Sequence, residues 1–263
     1  MKTGAKAFLL VFLLLTSFQR PASAQENASW LQKIKSFFTS SASVEQTATV
    51  SSEQPTEPQV SGPKKPTFDF SEKTIGNREA PLKINVFTSL TCPHCTNLHT
   101  QLLPYLREKY VETNEALLIL NDFPIEPRAM TASMISRCLS GDSYFAFIDT
   151  LFENQRHWAA APNVQEALLP YAKLAGLTEE EMTVCAADES ASKEIIRQRN
   201  LAIMRYKIHA TPTLVLQLGK EKERFEGAPS RADIDQAIEK LKKTYTGPWP
   251  ESSPAEQPVL SAP

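Results

Sequence analysis

Residues 82–97 read LKINVFTSLTCPHCTN. The first nine are rich in apolar and β-branched residues and follow Pro81, the pattern of a buried strand from about Leu82 to Leu90. Just beyond it, Cys92 and Cys95 flank Pro93 and His94. Proline is favoured at the first helical position, where its missing N–H costs nothing, so the stretch predicts a strand that runs into a helix opening on Cys92. That helix extends toward Tyr110, with Leu98, Leu102, Leu103 and Leu106 on one side and Pro104 as a kink. The next apolar run, ALLILNDFP at 116–124, reads as a second buried strand. Strand, crossover helix and strand make a right-handed parallel unit.

This placement gives the cysteines a chemistry. A helix start leaves four N–H groups without internal partners and puts about half a positive charge beside the Cys92 sulfur. The dipole is worth about 0.3–1 kcal/mol, or ~2 in partly buried sites, which lowers a thiol by about one pKa unit. His94, as an imidazolium between the two sulfurs, adds a positive charge and a donor. Stabilising the thiolate makes the corresponding disulfide a better oxidant. Cys92 is therefore expected to be the exposed sulfur, and Cys95, one turn inside the helix, the buried resolving thiol.

Rival uses of the pair fit less well. Zinc takes four ligands in a closed site, whereas Cys138, Cys185, His99, His157 and His209 are scattered and offer no second pair at matching spacing. Haem attachment requires His directly after the second Cys, where Thr96 stands. A bridge across two residues closes almost no loop and adds little stability.

The ends of the chain set the context. MKTGAKAFLLVFLLLTSFQRPASA combines Lys2 and Lys6, an apolar core from Ala7 to Leu15 and Ala22-Ser23-Ala24, the layout of a secretory signal peptide over residues 1–24. The apolar run is shorter than the roughly 20 residues of a membrane span, so cleavage is favoured over anchoring. Removing it takes three basic residues and no acids, leaving 25 basic and 30 acidic residues and a net charge near −5. That balance argues against nucleic acid as a partner. Export places four cysteines where disulfides persist, most simply a bacterial periplasm.

Within residues 25–66, WLQKIKSFF at 30–38 aligns Trp30, Leu31, Ile34, Phe37 and Phe38 on one face if helical. It is either a docking element or a short amphipathic turn without a role. From Thr39 to Pro66 there is no aromatic, Leu or Ile, so the stretch reads as a disordered tether. Residues 247–263 are expected to form a disordered, Pro-rich tail. Between them, 126–207 carries only helical periodicity, in MTASMISRCL, SYFAFIDTLF, VQEALLPYAKLAG and KEIIRQRNLAIMRY. TLVLQLG and EKERFEG then predict an antiparallel hairpin, and Ser230 with Asp233 a capping box for a last helix to about Lys243.

A Cys-Pro-His-Cys motif after a strand, a helical block, and Thr211-Pro212-Thr213 opening a later strand at 212 − 95 = 117 residues resemble the periplasmic DsbA family of thiol-disulfide oxidoreductases. The resemblance covers about 70–246. It implies an α/β, thioredoxin-like fold with an inserted helical domain, together forming 67–246. It also implies a cis Thr211–Pro212 bond facing the cysteines, with Thr211 offering backbone contacts to an extended substrate; the residues themselves say only that Pro212 precedes a strand. An acidified attacking thiol and an oxidising disulfide belong to the same implication. So do reduced, unfolded secreted proteins as substrates, a quinone-linked DsbB-type membrane partner as reoxidant, and no metal or organic cofactor.

Cys138 and Cys185 sit on apolar helix faces, where a free Cys behaves as a small hydrophobe. In an oxidising compartment a left-over pair more often bridges, and some DsbA-family members carry a second bridge in this block, so a structural disulfide is favoured. His99 is expected to be a solvated helix residue, and His157 and His209 core or surface residues. Asp122, near the end of the second strand, is a minor candidate for accepting the Cys95 proton. Two other functions remain open: an isomerase or reductase of the same fold, and a non-catalytic binding module.

Overall fold

The computed structural model describes residues 66–250. The expected signal peptide, the Trp30–Phe38 stretch, the tether up to residue 65 and the tail beyond 250 lie outside the described residues.

The strands β1 (Lys73–Ile75), β2 (Leu82–Thr88), β3 (Ala116–Asp122), β4 (Thr213–Leu218) and β5 (Glu221–Glu226) form one sheet in the order β1-β3-β2-β4-β5. β2 and β3 are parallel, with Leu82 opposite Ala116 and Thr88 opposite Asp122, and every other pairing is antiparallel. β1 was not legible as a strand. It has three residues and no alternation, and it forms because β3 offers it an edge.

Alternation along β2 explains why the apolar run is buried on both faces. Ile84 and Val86 pack with Leu102 and Leu106 of the helical run 93–111 (α1) and with Ile234 and Ile238 of α8 (Arg231–Thr244). Phe87 joins Phe123, Val215, Ala202 and Ile208 in a separate cluster. The capping box of α8 is made in full, with Ser230 and Asp233 each satisfying the other's backbone N–H.

α1 differs from the expected kinked helix. It runs as Pro93–Asn97, Leu98–Leu102, Leu103–Leu106 and Arg107–Val111, the second and fourth wound as π turns. The Leu103 N–H donates to the Leu98 carbonyl and the Glu112 N–H to the Arg107 carbonyl, each five residues back. Pro104 has no N–H and its ring crowds the preceding turn, so a widened turn just ahead of it absorbs the proline without a break.

Between β3 and β4 the chain is helical: α2 (Pro127–Arg137), α3 (Gly141–Glu153), α4 (Gln155–Trp158), α5 (Val164–Leu174), α6 (Glu179–Ala187) and α7 (Glu189–Tyr206). α4 and α6 were not expected as separate helices. Trp158 holds the first, fully buried with its Nε1–H donating to the Leu151 carbonyl at 2.8 Å. The Thr178–Glu181 capping box starts the second. Tyr144, Phe147 and Leu151 of α3 share one continuous core with Leu168 of α5 and the sheet residues. Cys138 and Cys185 are disulfide-bonded, joining the end of α2 to α6 with Cα atoms 6.2 Å apart.

A buried charge cluster ties these layers together. Arg137 Nε donates to Asp122 at 2.6 Å, and its guanidinium to the Ser71 carbonyl at 3.2 Å. Lys73 pairs with Asp69 at 2.7 Å and sits 4.5 Å from the Tyr144 ring centroid. The expected tail is corrected for its first residues: Trp249 packs edge-on to Tyr245 and accepts Lys242 over its ring at 4.3 Å. Among the described residues, no helix is long and apolar enough to cross a membrane.

Candidate active site

The site forms where β2 hands over to α1. Cys92 is the N-cap residue, in extended conformation (φ −79°, ψ 118°), and Pro93 follows at the first helical position. The Cys92 N–H donates to the Ser89 carbonyl at 3.0 Å, closing a tight turn after the strand. Its own carbonyl accepts from Cys95 N–H at 3.0 Å and Thr96 N–H at 3.3 Å, the first bonds of the helix. Across from it, the loop after α7 carries a cis Thr211–Pro212 bond. Pro212 is buried and Thr211 half-buried, and the Cys92 thiol donates to the Thr211 carbonyl at 3.3 Å.

The two sulfurs lie in opposed environments. Donation from the Cys95 thiol is the largest influence on Cys92; the Thr211 side chain and the backbone N–H groups of Cys95 and His94 add to it against the cost of burial, and the pKa falls to about 5. Cys95 is fully buried, and burial, followed by the adjacent Cys92 sulfur, pushes its pKa far up. Both cysteines are unbonded here. A low-pKa sulfur is a good leaving group and a ready thiolate, while its neighbour holds its proton.

Two expectations about the pair are corrected. Cys92 is only 6% exposed, with its thiol against the Thr211 carbonyl; Pro93 and His94, which follow it in the chain, and His209 and Ala210, which precede Thr211, are exposed. His94 contributes a backbone N–H to the sulfur, and its side chain lies exposed on the surface. The main stabiliser of the thiolate is thus the Cys95 thiol and not an imidazolium between the sulfurs.

His99, expected in solvent, is buried: its ring stacks on Phe152 of α3 at 3.8 Å between centroids, and Asp149 Oδ1 lies 4.0 Å from Nδ1. Phe152 and Asp149 of α3 lie against the face of α1 that carries His99. His157 is exposed beside the buried Trp158, and His209 is exposed. Asp122 is engaged by Arg137, which corrects its candidacy as a proton acceptor. Among the described residues no group of three or more His, Cys, Asp or Glu is placed to hold a metal ion.

One residue escaped the sequence reading. Gln155, the first residue of α4, is 6% exposed, and its Nε2 donates to the Leu90 carbonyl at 2.8 Å and to the Cys92 carbonyl at 3.0 Å. Nothing in ENQRHW marks that glutamine, because its partners lie 65 and 63 residues away.

Comparison with known proteins agrees with this geometry. A family model described as thioredoxin matches residues 70–240. A Rickettsia bellii protein provisionally named as a protein-disulfide oxidoreductase is 29% identical over 66% of this chain and 68% of its own length. A Rickettsia felis protein with the same name is 26% identical over 69% of this chain and 66% of its own. The solved structure of α-DsbA1 from Wolbachia pipientis matches with a TM-score of 0.60 and 27% identity, covering 66% of this chain and 92% of that one. BdbD from Bacillus subtilis, at 18% identity and a TM-score of 0.57 over 65% and 93%, shares the fold. The chain belongs to the thioredoxin family and is a DsbA-like member of it. The matches span about two thirds of the curated relatives' lengths.

Proposed function

We propose that the protein is an exported thiol-disulfide oxidase that passes its Cys92–Cys95 disulfide to reduced, unfolded secreted polypeptides in the periplasm. The observation that carries this reading is the split between the two sulfurs, with Cys92 lowered to about 5 and Cys95 raised. A substrate thiolate attacks the Cys92 sulfur, the Cys92–Cys95 bond breaks, and Cys95 departs as a thiolate that takes up a proton. A second substrate thiolate attacks the substrate sulfur of the mixed disulfide, and Cys92 leaves as a stabilised thiolate. The substrate has lost two electrons and the cysteine pair has gained them. Thr211, whose carbonyl already meets Cys92, supplies backbone contacts to the extended substrate beside Pro212. A DsbB-type membrane partner restores the disulfide, and the first 24 residues direct export.

The acidified Cys92 favours oxidation over isomerisation, since a stable thiolate lowers the stability of the disulfide from which it is released. The test is to measure the reduction potential against glutathione, insulin reduction and scrambled-substrate repair, and to trap clients with Cys95→Ala. An oxidising potential, slow repair and mixed disulfides through Cys92 are expected. A reducing potential with efficient repair of scrambled substrates would assign the site to an isomerase or reductase. Activity that survives Cys92→Ser would make the protein a binding module.

A further inference from the structure

Gln155 belongs to the helical block, yet both hydrogens of its side-chain amide are spent on the turn that presents Cys92. The Leu90 carbonyl lies in the core beyond the last ladder bond of β2, and Gln155 is its hydrogen-bond partner. The Cys92 carbonyl accepts from Gln155 in addition to the two helix-opening N–H groups. A side chain buried to this degree that donates twice, to residues two apart on a foreign element, fixes the backbone of the segment between them.

We propose that Gln155 is the positioning residue of the redox pair: its amide clamps the Leu90–Cys92 turn onto the helical block and draws the negative ends of two carbonyls away from the reacting sulfur. The proposal rests on the redox reading above and extends it to a residue outside the Cys-Pro-His-Cys motif. Gln155 acts through the backbone of Cys92 and does not touch substrate. Two consequences follow from the geometry. The N-cap conformation of Cys92 is held from the helical side, so the sulfur keeps its approach to the N–H groups of His94 and Cys95. Loss of the amide leaves the Leu90 carbonyl buried without a donor and restores its full negative potential to the turn, which disfavours the thiolate.

The variants Gln155→Met and Gln155→Glu separate donation from packing. Met keeps the volume and removes both donors, while Glu replaces the donating nitrogen by an acceptor facing two carbonyl oxygens. Followed by thiolate absorbance, Cys92 should titrate about one pH unit higher in Gln155→Met, a roughly tenfold fall in thiolate at a fixed pH below its pKa, and higher still in Gln155→Glu. The equilibrium with glutathione should shift in the same order, toward a less oxidising pair. Folded variants with unchanged Cys92 titration and unchanged glutathione equilibrium overturn the proposal. If the variants do not fold, the wild-type protein decides: the Gln155 side-chain amide protons should exchange slowly and show NMR couplings across the hydrogen bonds to the Leu90 and Cys92 carbonyl carbons, and rapid exchange without couplings overturns it. An ordinary thiol pKa for Cys92 in the wild-type protein would remove the redox reading itself and this proposal with it. An acidic wild-type Cys92 beside unperturbed variants removes only the role of Gln155.

Discussion

The two cysteine pairs of this protein are built from the same atoms and put to different uses by their surroundings. Cys92 and Cys95 share one helical turn, and donors from Cys95, His94 and Thr211 converge on the first sulfur. Cys138 and Cys185 are 47 residues apart, bonded between two helices, with Met182 and other apolar neighbours of the core around Cys185. The first pair closes almost no loop, so its bond adds little to folding and is free to be made and broken; the second closes a long loop and takes part in stability. Polar donors, more than spacing alone, separate a sulfur that exchanges from one that holds.

This contrast can be broken in order of expected effect. Asp122→Asn leaves the buried Arg137 guanidinium without its carboxylate and should cost about 3–5 kcal/mol of stability, read from denaturant midpoints, with Arg137→Met and Asp122→Leu together recovering part of the loss. Cys138→Ala with Cys185→Ala opens the 47-residue loop and should cost about 2–4 kcal/mol in the same measurement, while Cys92 and Cys95 continue to exchange with glutathione. Reduced protein should show a pH dependence that a Cys92→Ser variant lacks. The Cys92 pKa is lowered from 9.0 to about 5 on folding, so its contribution is complete above about pH 9 and lost as pH falls through about 5. At pH 7 it amounts to about 2–3 kcal/mol, and a flat difference between the two proteins from about pH 4 to about pH 9 would contradict the acidified thiol. The smallest effect is expected at the last helix, where Ser230→Ala removes the cap of α8 for about 1 kcal/mol.

Much of this arrangement could be read from the chain. Leu82 to Thr88, the Pro93 helix start, the hairpin after Pro212 and the Ser230 cap are local signals, written within a few residues of where they act. What stayed hidden depends on partners distant in sequence. β1 exists because β3 has a free edge, and His99 is buried because Phe152, more than fifty positions later, stacks on it. The assignment of charge stabilisation to the His94 imidazolium failed because motif spacing does not say which way a side chain turns, and here the Cys95 thiol and backbone N–H groups do the stabilising. Gln155 and Arg137 look like ordinary polar residues until the fold brings carbonyls or a carboxylate to them.

β5 completes one margin of the sheet with the sequence Glu221-Lys222-Glu223-Arg224-Phe225-Glu226, in which only Phe225 is uncharged. Among the described residues no further strand pairs with β5, and a row of charges along such a border discourages other chains from annealing to it. For a protein proposed to handle nascent polypeptides before they have folded, such a border would act as insulation, confining encounters with sticky clients to the sulfur chemistry and keeping the catalyst out of their aggregates.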